Sequence, residues 1–119
     1  MSQSLYERLG GTEGITQIAN DVVDLHLKNP AVATRFEAAD PVKLKNLAAT
    51  FFITGTGGPA VYEGRDMITT HKHMNISHQE FMAVCDDALE ALQMNGIGQR
   101  EQEEVLFVFY SMRNEIIGV

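Results

Sequence analysis

Apolar residues recur at helical spacing along the whole chain, and glycine and proline interrupt them. Leu5–Leu9 reads as a short first helix stopped by Gly10-Gly11. Thr12 is the expected N-cap of the next helix. That helix carries Ile15, Ile18, Ala19, Val22 and His26 on one face, with Val23 and Leu27 beside them, and ends at Asn29-Pro30. A short segment over Val32–Phe36 follows. Asp40-Pro41 is a strong helix start, because Asp caps and Pro suits the first helical position. Behind it Leu44, Leu47, Ala48, Phe51 and Phe52 make an apolar face, and Gly55–Pro59 is expected to be loop. A short helix from about Arg65 to His73 puts Met67 and His71 one turn apart. Ser77 and Glu80 have capping-box spacing. They precede the stripe Phe81, Val84, Cys85, Ala88, Leu89, Leu92, closed by Asn95-Gly96. A last helix, Gln99 to Ile117, is expected to bury Val105, Val108, Phe109, Met112 and Ile116. Strand signals are weak, so the fold class is all-α with five or six helices.

Composition narrows this picture. The 119 residues suit a single domain, 1–119, and a hydrophobic fraction of 45% argues against disorder. The formal charge of −7 disfavours nucleic acid and anionic membrane surfaces as partners. No apolar run approaches the length of a membrane span, and the first residues do not pattern as a signal peptide. The one cysteine, Cys85, is compatible with a reducing compartment and lies on an apolar stripe, where thiols are usually inert. A cytoplasmic protein, monomeric, is the expectation. Asp86, Asp87, Glu90, Glu101, Glu103 and Glu104 read as solvated helix faces.

The histidines are the candidate chemistry. His71 follows Met67 by one turn on a short helix just after the glycine loop. Haem is commonly held by one histidine in a pocket of apolar side chains. The chain can supply such a lining: Phe36, Leu44, Ala48, Phe51 and Phe52 before that helix, Met67, Ile76, Phe81 and Val84 on and after it. The same residues would equally serve as plain core, and spacing alone favours core. Zinc competes poorly. His71 and His73 point about 200° apart on one helix, and no HExxH motif occurs. The Gly55–Pro59 loop lacks the Gly-Lys-Ser/Thr of a phosphate site.

Ordered motifs carry a family resemblance. Leu5-Tyr6-Glu7-Arg8-Leu9-Gly10-Gly11 opens the chain. Phe36 follows, then Gly57-Gly58-Pro59, Tyr62, Gly64-Arg65-Asp66-Met67, His71-Lys72, Asn75-Ile76-Ser77 and Phe81. Together these resemble a group I truncated haemoglobin over about Leu5 to Ile117. The resemblance implies a two-over-two helical sandwich around one haem b (iron protoporphyrin IX), two glycine motifs that let short helices cross, and His71 as the proximal iron ligand. It further implies that Phe36, Leu44, Phe52, Tyr62, Met67, Ile76 and Phe81 line the haem. Lys43, Lys45 or Lys72 would reach its propionates.

On the distal side the chain departs from the pattern. The family's usual tyrosine falls at Val23, after Val22 in place of a phenylalanine. Its helper glutamine falls at Ala48, and the distal histidine of ordinary globins falls at Leu44. This alignment makes the pocket apolar: Val23, Leu44, Ala48. A hydrogen bond missing there costs O₂ about 1 kcal/mol, more in a dry site. Fast O₂ release and easier iron oxidation are therefore expected. His26 is either the one donor near this pocket or a histidine wedged between helices. An internal sixth ligand would have to come from His26, Lys43 or Lys45.

Three functions compete. The first is binding of O₂ or another diatomic gas, NO or CO, for transport or sensing. The second is an enzyme, NO dioxygenation or peroxidase-like chemistry served by an external reductase. The third is a haem-free helical interaction module. The proximal-type His71 favours the first two, and the lack of distal acid/base groups favours gas binding.

Overall fold

The computed structural model describes residues 3–119. Each helix begins and ends where local chemistry dictates. Helix α1, Leu5–Arg8, opens with a capping box between Ser4 and Glu7. Helix α2, Gly11–Lys28, starts one residue before Thr12. Its N-cap is Gly10, held at φ 101, a left-handed conformation that glycine adopts at little cost. Thr12 therefore lies inside the helix, and its hydroxyl meets the Tyr6 hydroxyl at 2.6 Å instead of capping.

After a 3₁₀ segment, Ala33–Phe36, helix α3 runs Pro41–Gly55 with Asp40 capping Val42 N–H. The helix absorbs Gly55, and the loop begins only at Thr56. Its buried side is Ala49, Phe52 and Ile53, rotated from the expected face; Leu47 is exposed. Gly58 passes so close to Tyr6 that a side chain there would overlap the ring, which ties the second glycine motif to α1.

Helix α4, Met67–His71, is a single turn and a bit, capped by Asp66 onto Thr69 N–H. Helix α5, His78–Met94, begins with the Ser77–Glu80 capping box and stops at Asn95. Helix α6, Gln99–Ser111, ends earlier than expected. The chain turns through a 3₁₀ segment, Arg113–Glu115, and Ile117 then bridges in parallel to Ile76. That bridge is the only β pairing among the described residues outside helices.

Helix α2 packs on α3 and on α5, and α5 packs on α6, so one pair of helices lies over another. Ile15, Ile18, Ala19 and Val22 of α2 meet Cys85, Ala88, Ala91 and Leu92 of α5 in one core. No described helix is long and apolar enough to cross a membrane.

Candidate functional site

Beside this core lies an apolar cavity of about 210 Å³. Val32, Arg35 and Phe36 reach it from the first 3₁₀ segment and its approach, and Phe51 from α3. Met67 and His71 reach it from α4, Met74 and Ile76 from the loop behind. Glu80, Phe81 and Val84 come from α5. Phe109, Met112 and Ile116 come from the last helix and tail.

His71 is oriented by its own helix. Its Nδ1 lies 2.8 Å from the Met67 carbonyl oxygen. A carbonyl only accepts, so Nδ1 carries the proton and Nε2 keeps the lone pair. A half-buried imidazole in this tautomer, at the wall of an apolar cavity, is the donor an iron porphyrin requires. The chemistry of the donor set therefore fits a haem. Glu80 is the one carboxylate at the wall. Arg35 grips it at 2.6 and 2.9 Å, and the Ser77 N–H donates to it as well. These contacts hold its carboxyl down at about 2.

Of the residues expected around a haem, Phe36, Met67, His71, Ile76 and Phe81 come together at this wall. Four others do not. Phe52 is buried behind Phe109, stacked on it at 5.4 Å. Tyr62 packs edge-on against Phe51 and donates its hydroxyl to the Arg65 carbonyl. Lys72 is exposed at the end of α4, and Leu44 is half-buried on α3 away from the wall. Ala48 likewise packs against the core. Val23 is 2% exposed and outside the cavity lining. Lys45 is occupied by Asp24 at 2.9 Å, and Lys43 is exposed.

His26 is wedged between helices. Its Nδ1 meets Asp87 Oδ2 at 2.7 Å, and its ring stacks on Phe36 at 5.4 Å and 9°. Asp87 is thus not a solvated residue. It is 6% exposed, and both its carboxylate oxygens also accept from the Asn29 Nδ2 amide at 3.2 Å. Burial pushes the His26 pKa down and outweighs the pull of Asp87. Glu101 and Glu104 also leave solvent in part, because Arg8 binds both. Cys85 is buried, and desolvation with Asp86 nearby pushes its thiol up to about 11, which keeps it inert.

Sequence reasoning passed over Arg35 and Glu80. The only signal was position: Arg35 precedes Phe36, and Glu80 closes a capping box. Met74 had none, since it lies in an irregular loop.

A family model described as bacterial-like globin matches residues 4–117. A group 1 truncated haemoglobin of Nostoc commune is 25% identical over 115 residues, covering 97% of this chain and 98% of its own. A group 1 truncated haemoglobin of Synechocystis is 28% identical over 109 residues, with 88% of each chain covered. The crystal structure of the Tetrahymena pyriformis truncated haemoglobin, Fe(III) form, superposes with a TM-score of 0.95 at 25% identity, covering 98% of this chain and 100% of that one.

Proposed function

Because this chain belongs to the bacterial-like globin family across residues 4–117, we propose that it binds haem b through His71 and uses it to hold O₂ or another diatomic gas. The observation that carries this reading is His71 itself. Its Nδ1–H is spent on Met67 at 2.8 Å, and its ring lines an apolar cavity. A ferrous haem held by His71 would supply an open coordination position for a small gas.

The chain's own residues set the terms. The hydrogen bond to Met67 fixes the imidazole orientation and makes Nε2 more basic. Phe36, Phe81 and Val84 give the cavity an apolar wall. Val23, Leu44 and Ala48 carry no donor. His26 spends Nδ1–H on Asp87 at 2.7 Å. A gas held where the resemblance puts it, beside Val23, Leu44 and Ala48 and away from Arg35, gains no hydrogen bond from them, and its release is fast. An oxygen-binding, transport or sensing role follows, with an external reductant to restore ferrous iron after oxidation. NO dioxygenation or peroxidase-like turnover with an external reductase is the second reading. Proton transfer would have to pass through Glu80, which Arg35 holds ionised at any ordinary pH, and this disfavours it.

The test is an absorption spectrum of the protein, ferric and then dithionite-reduced, beside His71→Ala. The expected result is haem bands in the wild type that are lost or altered in the variant. The O₂ dissociation rate should exceed that of a globin with a distal donor by roughly tenfold or more. Absence of haem uptake sinks the proposal; slow O₂ release sinks the donor-free pocket.

A further inference from the structure

A haem is apolar except at its two propionate carboxylates, and a chain with a formal charge of −7 offers an anionic ligand little general attraction. The cavity wall contains one permanent cation, Arg35. The lysines are poorer partners: Lys45 is paired with Asp24, and neither Lys43 nor Lys72 reaches the wall.

The guanidinium has five N–H groups. Three are engaged: Nε donates to Glu80 Oε2 at 2.6 Å, Nη2 to Glu80 Oε1 at 2.9 Å, and Nη1 to the Met74 carbonyl at 2.9 Å. One N–H therefore remains on each of the two terminal nitrogens. Two donors on adjacent nitrogens match the two oxygens of a second carboxylate. Glu80 does not forbid this. Its charge is shared by Arg35, by the Ser77 N–H at 3.1 Å and by the positive end of α5, where it is the third residue. The guanidinium is also held from two sides, by α5 and by the loop after α4, so little side-chain entropy remains to be lost on binding.

We propose that Arg35 is the residue that receives a haem propionate, through the N–H groups that Glu80 and Met74 leave unused. This rests on the haem reading above. Arg35 is then part of cofactor recognition as well as the link between the first 3₁₀ segment, α5 and the His71 loop.

The experiment compares two cofactors, haem and its dimethyl ester, whose carboxylates are blocked. Each is loaded into the wild type, Arg35→Met and Glu80→Gln, and its transfer to excess apomyoglobin is timed. Arg35→Met should release haem roughly tenfold faster, the scale of one charge-assisted bond, and release the ester within twofold of wild type. Glu80→Gln, which frees the guanidinium, should hold haem as long as wild type or longer. Equal acceleration of both cofactors in Arg35→Met, or of both in Glu80→Gln, would reduce Arg35 to a structural link and overturn the proposal. So would unchanged haem release in Arg35→Met. A wild type that takes up neither cofactor overturns the haem reading itself, an outcome separate from these.

Discussion

His26 and Asp87 show how one buried pair alters a site it does not line. The imidazole stands between α2 and α5, and Phe36, which does line the cavity, lies flat against it. Asp87 accepts three hydrogen bonds, one from His26 and two from Asn29. Replacing it with alanine strands the buried His26 N–H, at a cost of about 1–3 kcal/mol. Urea unfolding of Asp87→Ala should show a loss in that range, while Asp87→Asn, which still accepts from His26, loses less. A neutral effect of Asp87→Ala would mean that His26 finds another partner once the carboxylate is gone.

At the scale of elements, α4 is the weak member and carries the key residue. Five residues make little helix on their own, since nucleation is costly. What fixes α4 is the segment after α6. The 3₁₀ segment Arg113–Glu115 packs on it. The N–H groups of His73 and Asn75 reach the Val119 carbonyl, and Gly118 N–H reaches the Ile76 carbonyl. Gly118 sits at φ 70. Proline there cannot adopt that angle and has no N–H to give. Gly118→Pro should therefore raise amide hydrogen exchange across residues 67–76 while leaving α2 and α5 protected. Unchanged exchange in that stretch would show that α4 is held by something else.

The whole molecule responds to pH through groups of both signs. His26 has its pKa lowered by burial, so the unfolded chain binds this proton first as pH falls. Stability is full above the ordinary histidine value of about 6.5 and declines below it. Glu80, Glu104 and Asp66 are held below the usual carboxylate range by Arg35, Arg8 and the Thr69 N–H respectively. Their contribution is present above about 4.5 and is lost as pH falls further. The urea midpoint should thus drop in two stages, one below 6.5 and a second below 4.5. A midpoint flat from pH 8 to 5 would contradict the first stage. In His26→Leu that first stage should be gone.

Much of this protein was legible along the chain because its signals are local. Helical periodicity, Asp40-Pro41, the Ser77–Glu80 box and the Asn95-Gly96 stop depend on neighbours within a turn or two, and they fixed α3 and α5 nearly to the residue. His71 and the motifs around it pointed to a globin of the truncated kind with no tertiary information. Folding decided the rest. Asp87 sits in an acidic stretch and reads as solvated; only packing brings it to His26, 61 residues away. Arg35 meets Glu80 across 45 residues. The last helix stops at Ser111, and the residues beyond it bring Ile117 to Ile76, a contact that no local pattern encodes. Sequence periodicity states which face of a helix is apolar. Which polar group is buried, and against what, is settled only when distant elements close on one another and every buried donor has to find an acceptor.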